Sequence, residues 1–388
     1  MLTQLIQALS SLRGRAALRQ GLILTGLLLS AAGCSGASAQ QQGGQQGGAV
    51  PQSATTSSTA TTAPVGTEVA ATPQPEFSAW LAALRADALK QGISQSTVTA
   101  ALGNVAPLAR VIELDRRQPE FTLTLRQYLE RAVNQARVNQ ARAKLAENRA
   151  LLEEVGRKYG VQPRFIVALW GIETNFGSNT GGFSVVQALA TLAYDGRRSD
   201  YFRGELMNAL KIIDAGHVSA ANMKGSWAGA MGQNQFMPSS FLSYAQDYNN
   251  DGRRDIWTTP ADVFASTANY LKQSGWRGDE TWGREVRLPP GFGPQAKALM
   301  PAEPPAGCRA NRFLSAKKPL AEWQKLGIRR TDGGDLPNRN IQASLALPEG
   351  EQGPALLIYD NFRTTLKWNC SVSFATAVGT LADRIEAP

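Results

Sequence analysis

Histidine is nearly missing from this 388-residue chain, which holds His217 and no other. A zinc site of ordinary composition draws on several His and Cys ligands, and with three cysteines in all, metal-centred hydrolysis is disfavoured. A Ser-His-Asp triad would rest on His217 alone, and no Gly-x-Ser-x-Gly elbow accompanies it. No Gly-Lys-Ser/Thr follows the glycine-rich stretches, so a phosphate loop is excluded. Arg/Lys blocks with interleaved aromatics and zinc-finger spacing are also missing, which argues against nucleic acid. The apolar stretch from Gly21 to Leu29 is too short to span a bilayer comfortably. These absences leave carboxylate chemistry standing, with His217 read as a solvated residue at a helix end.

Forty Lys+Arg against 31 Asp+Glu give a formal charge of +9. That suits an acidic polymer such as an anionic membrane surface or cell wall, or reflects the basicity of many exported proteins. The length allows two to three domains, or one core with appendages. Arg13, Arg15 and Arg19 followed by Gly21–Leu29 read as an export signal over residues 1–34. Ser30-Ala31-Ala32-Gly33-Cys34 resembles a bacterial lipobox, with Cys34 as the lipidated N-terminus and cleavage after Ala39 as the competing site. Residues 35–76 are Gln/Gly-rich, then Ser/Thr/Ala-rich with several prolines, a composition that buries too little to fold and reads as a flexible tether. In an oxidising compartment the other two cysteines, Cys308 and Cys370, are candidates for a disulfide.

The stretch Arg164 to Gly177 reads as a buried helix carrying one acid near its end, Glu173. A carboxyl in apolar surroundings resists ionisation and can protonate a leaving oxygen; the plain alternative is a Glu bonding a nearby backbone N–H or Arg. Upstream, Phe77 to Gly103 opens as an amphipathic helix, and Leu123 to Gly160 reads as one long helical run containing Tyr128, a packing residue by periodicity. Arg197 and Arg198 could bind a carboxylate or cap a helix. Lys224 to Pro238 combines small residues with Ser226, Gln233, Asn234 and Gln235, the neutral groups that hold sugar hydroxyls and acetamides, or else packs tightly between helices.

Asp247, Asn249 and Asp251 open a D-x-N-x-D-G calcium-loop pattern continued by Arg253, in which oxygen ligands alternate. Thr258 stands where the usual closing Glu would be, leaving Asp255 or Asp262 to supply a carboxylate; an Asn/Asp-rich turn without metal is the alternative. From Val286 short Pro/Gly-punctuated segments suit a small, partly β insertion, and Ser373 to Ile385 closes as a helix.

Gly171-Ile-Glu-Thr-Asn-Phe-Gly177, Lys224 to Gly232, Gln235-Phe-Met-Pro-Ser-Ser240, the Asp247 loop, Ala268-Asn-Tyr270 through Trp276, and Asn361-Phe362 with Trp368-Asn369 together resemble the lytic murein transglycosylase B family. The resemblance runs from about residue 77 to the C-terminus. It implies a mainly α (α+β) fold: a helical N-terminal lobe over 77–150, a lysozyme-like core over 151–285 with an EF-hand-like loop at 247–262, a β-containing insertion over 286–350, and a segment 351–388 returning to the core. It implies cleavage of the MurNAc–GlcNAc β-1,4 bond of peptidoglycan without water, leaving 1,6-anhydroMurNAc ends, with Glu173 as sole acid/base. By the same resemblance Ser226, Gln235, Phe236, Met237, Arg197, Arg198, Tyr128, Tyr270, Tyr359 and Asn361 are substrate contacts. Arg363 and Trp368 stand where tyrosines are common. Calcium in the 247–262 loop is expected to be structural, with no organic cofactor, and the partners are glycan strands and the outer membrane on its periplasmic face. Two rivals stand beside this reading: a hydrolase of the same fold using water and a second acid such as Asp195 or Asp200, and a non-catalytic wall-binding lipoprotein.

Overall fold

A computed structural model describes residues 75–116, 123–196, 198–303 and 306–386. The export signal with Cys34, the tether up to residue 74, and Arg197 lie outside the described residues.

Three helices come first: α1 (Pro75–Lys90) and the shorter α2 (Gln95–Leu102) and α3 (Ala109–Arg116). Phe77, Leu81, Leu84 and Ala88 recur at helical spacing on α1 and are buried. Ser94 caps α2 by accepting from the Thr97 N–H. The run expected as one helix from Leu123 to Gly160 is three: α4 (Leu125–Ala132), α5 (Gln135–Glu147) and α6 (Arg149–Tyr159). The first break is local chemistry, because Val133 leaves the helical region and the Asn134 side chain accepts from Arg137 N–H, offering the backbone a partner that restarts a helix. Asn148 makes the second break. Gly160, at φ 71°, ends α6 as only glycine does without strain.

Pro163 then opens α7 (Pro163–Thr174), whose Phe165 to Trp170 are all buried. Around it pack α5, α6, α11 (Pro260–Gln273) and the last helix, α15 (Val372–Glu386). The pair α8 (Val185–Tyr194) and α9 (Ser199–Asp214) and the short α10 (Pro238–Tyr244) complete the core. The N-terminal helices have no core of their own, since Phe77 through Ile385 belong to one continuous apolar cluster.

A two-stranded ribbon joins β1 (Phe183–Ser184) to β2 (Lys224–Gly225), antiparallel. The small sheet has the order β4-β6-β7-β3-β5, from β3 (Gly283–Arg287), β4 (Lys318–Pro319), β5 (Arg329–Arg330), β6 (Gln342–Ala346) and β7 (Ala355–Ile358), all antiparallel. It therefore extends beyond 286–350 at both ends. With α12 (Gly293–Leu299) and α13 (Leu320–Lys325) it encloses a second core around Phe292, Trp323, Leu345, Leu357 and Tyr359. From β7 the chain enters α14 (Asp360–Trp368), and a Cys308–Cys370 disulfide, Cα–Cα 5.5 Å, ties the insertion to the turn between α14 and α15.

Candidate active site

Glu173 sits in the last turn of α7, 7% exposed. Its carboxyl accepts a hydrogen bond from the Trp368 indole, Nε1 to Oε1 2.7 Å. Burial pushes the Glu173 pKa up, and the indole N–H, which favours the charged form, opposes this in part. A carboxylate at a helix C-terminus also meets the negative end of the helix dipole, which favours the protonated form. The result is a carboxyl suited to holding a proton where water would strip it.

The backbone beyond Glu173 is fixed by an uncommon turn. Asn175 and Phe176 are both left-handed, at φ 49° and 58°, and their N–H groups return to Gly171 O and Trp170 O. This folds the Phe176 ring onto Gly171, where a Cβ would meet the ring at 2.7 Å. Thr174 Oγ1 donates to Gln233 O and accepts from Gly177 N–H, locking the turn to the glycine-rich segment.

Trp368 is held by rings on two sides, Tyr270 at 4.7 Å and Phe236 at 5.2 Å between centroids. Tyr270 is buried and donates to Lys367 O at 2.8 Å, and burial pushes its pKa up, so its hydroxyl is neutral and braces α14. Gln235, buried at φ 51°, donates from Nε2 to Thr180 O and Gly232 O and leaves Oε1 without a hydrogen-bond partner among the described residues. A buried acceptor of that kind suits a ligand N–H or hydroxyl. Ser226 Oγ accepts from Ala228 and Ala230 N–H, closing the loop around itself and keeping its own O–H to donate. Met237 is buried at the start of α10.

Other residues have different work. Arg198 forms a buried ion pair with Asp115 of α3 and lies over the Phe202 ring, so the carboxylate it holds is the protein's own. Tyr128 is half-buried on α4 against the common core, close enough to Arg137 to act on its charge. Tyr359 and Asn361, expected at the substrate, stand at the junction of sheet and core. Tyr359 is buried in the sheet's cluster with its hydroxyl accepting from Arg284 Nε, and Asn361 bonds Arg277 N and O and Glu280 O. Their polar groups are engaged because the β7-to-α14 crossing has backbone atoms to satisfy. Trp368 and its neighbour Asn369 carry part of the family resemblance but were given no role at the site; Asn369 is fully buried, with neither amide atom hydrogen-bonded among the described residues. An aromatic-amide pair at the end of a helix is the available signal. Of the two rival acids, Asp195 pairs with Arg116 at 3.3 Å, and Asp200 lies in the first turn of α9.

In the 247–262 loop, Asp247 accepts from Asp251 and Gly252 N–H, Asn249 from Asp251 N–H, and Asp251 from Arg253 N–H. Asp262, fully buried, accepts from Tyr248 N–H and Asp255 N–H. Burial pushes its pKa up, the two N–H groups oppose this, and the fields of Asp247 and Asp251 add to the rise. Among the described residues, no cluster of three or more His, Cys, Asp or Glu side chains is drawn together as a metal centre, and no helix is long and apolar enough to cross a membrane.

A mainly α fold built on a central helix ending in one buried carboxyl belongs to the lysozyme-like class. More narrowly, the Transglycosylase SLT domain family matches residues 76–383, and the chain belongs to that family. It is 35% identical over 240 residues to the membrane-bound lytic murein transglycosylase B of Escherichia coli, covering 60% of each protein. The chain thus spans about 60% of the length of that curated relative. Its structure is similar to SltB3 of Pseudomonas aeruginosa, solved with NAG-anhNAM-pentapeptide, at TM-score 0.74 and 46% identity over 80% of each chain. It is also similar to the Escherichia coli lytic transglycosylase Slt35 solved with calcium, at TM-score 0.64 and 28% identity over 80% of this chain and 92% of that one.

Proposed function

We propose that the protein is a peptidoglycan lytic transglycosylase that cleaves the MurNAc–GlcNAc β-1,4 bond without water, with Glu173 as its single acid/base. The observation that carries this is the buried Glu173 carboxyl held by the Trp368 indole. Glu173 first protonates the GlcNAc O4 as it leaves, while the substrate's own 2-acetamido oxygen stabilises the positive charge developing at C1. As carboxylate it then accepts the proton of the MurNAc C6 hydroxyl, which attacks C1 and closes the 1,6-anhydro ring. An intramolecular hydroxyl has a high effective concentration and competes well with water. Glycosidases of the two-carboxylate kind need a second acid to hold water or attack, and here the substrate supplies that role. Trp368 is donor-only, so it orients the carboxyl in both states without taking a proton from it.

Ser226 and Gln235 are the residues suited to the acetamide and hydroxyls. The loop's Asp247, Asn249 and Asp251 side chains, Arg253 carbonyl and Asp262 offer the hard oxygen donors calcium prefers, and a bound ion would offset their mutual repulsion in a structural role. A lipid on Cys34 would hold the enzyme at the outer membrane facing the periplasm, in keeping with the membrane-bound relative. The test is mass spectrometry of fragments released from purified peptidoglycan by the full-length chain and by Glu173→Gln. Anhydro-ended muropeptides from the parent and none from the variant are expected, whereas reducing-end products would make the enzyme a hydrolase.

A further inference from the structure

A groove of about 870 Å³ opens beside the loop that follows Glu173, lined by Gly177 and Thr180 of that loop, by α2, by the chain leaving α9, and by residues 253–258. None of the residues assigned above to glycan contact lines it. One wall carries Trp257, a half-buried ring whose Nε1 donates to Lys224 O at 2.9 Å, while the residue's backbone carbonyl accepts from Gln233 Nε2 at 2.7 Å. Gln233 in turn accepts from Trp170 Nε1 on α7, one turn before Glu173, so the platform is coupled to the catalytic helix.

The groove's lining is net positive, with Lys224 and Arg253 against Asp255. Lys224 is exposed and forms no ion pair among the described residues, while Arg253, also exposed, acts on Asp251 without closing an ion pair. The acid lining the groove, Asp255, has its oxygens engaged by the N–H groups of Trp257 and Thr258 and the hydroxyls of Thr258 and Thr259. The lining also includes Ser96, Thr180, Ser219, Thr258 and the Asn222 amide, neutral groups of the kind that bind sugars and peptide amides. A fixed indole, neutral donors and two cations together match a sugar that carries carboxylates.

We infer that this groove is a second peptidoglycan site, holding a sugar against Trp257 and a stem-peptide carboxylate at Lys224 and Arg253. This rests on the peptidoglycan reading above. It places a strand unit against the wall of the 247–262 loop, on residues other than those assigned to the bond being cut.

The test uses the full-length chain with Glu173→Gln, titrated with GlcNAc–MurNAc-tetrapeptide and, separately, with chitotetraose, which has no carboxylate. The muropeptide should occupy two sites. Adding Lys224→Glu and Arg253→Glu should weaken the second about tenfold, in the range two exposed charge contacts deliver, while Lys224→Arg with Arg253→Lys retains it and chitotetraose binding is unchanged. A single site in the parent, or equal loss for both probes, overturns the inference. Should the charge reversal fail to fold, a photoreactive muropeptide on the parent decides. Crosslinks in 219–224 or 253–258 are expected, and crosslinks confined to the Glu173 cleft overturn it. Fragment release is a separate readout: a parent that yields no anhydro-ended products overturns the catalytic reading, whereas one that cleaves but shows neither groove effect overturns the groove alone.

Discussion

The indole N–H of Trp368 lies 2.7 Å from Oε1 of Glu173, joining residues 195 positions apart in the chain. Because the donor stabilises the carboxylate, deleting it raises the Glu173 pKa further, and the acid form persists to higher pH. Trp368→Phe should therefore move the alkaline limb of the rate profile upward and lower kcat by about ten- to hundredfold, the range of a hydrogen bond to a charged group. A limb that stays in place would show the indole to be packing alone.

Stability should respond to Glu173 in the opposite sense from activity. The folded chain resists ionising this carboxyl, so its contribution is fully present below about pH 4.5 and is lost as pH rises through the higher folded pKa. Glu173→Gln carries no ionisation and escapes that loss. The variant's Tm should match the parent's at acid pH and exceed it near neutrality, by about 2–4 °C for each kcal/mol relieved. Glu205 and Asp383, also pushed up by burial, are common to both proteins and cancel in the difference.

How much of this was legible in the sequence depended on the range of the contacts. The Glu173 helix could be read because its apolar run is local, and the D-x-N-x-D-G loop because its spacing is. The break at Asn134 was missed because an apolar period continues through it while a single side-chain cap decides otherwise. Tyr359 and Asn361 sat in the right stretch, but only the fold reveals that a sheet core and the Arg277 backbone claim them. Trp368 was noted as a departure from tyrosine, and its hydrogen bond to Glu173 depends on how the end of α14 packs on Phe236 and Tyr270.

The Cys308–Cys370 bridge spans 62 positions and fixes the chain two residues beyond Trp368. Cys370→Ser, or reduction of the parent, should cost about 2–4 kcal/mol. Activity should decline at temperatures where far-UV ellipticity is still native, since the turn carrying Trp368 and Asn369 is what the bridge restrains. Parallel loss of both signals would contradict a local role.

Calcium should raise the parent's Tm and chelator lower it, and Asp247→Ala should abolish the response. Asp262→Ala should destabilise even without metal, by about 2–4 kcal/mol, because the N–H groups of Tyr248 and Asp255 lose their buried acceptor. A parent melt indifferent to both calcium and chelator would remove the ion from the scheme.

The arrangement of α7 against α14 and α15 has a consequence in time. Glu173 leaves the ribosome 195 residues before Trp368, and α15, which packs along the Glu173 helix, follows both. A nascent or truncated chain thus carries the acid without its donor and without the helix that buries it. On this topology the glycan-cutting activity proposed above cannot assemble before Trp368 has been made and the chain has folded back onto Glu173.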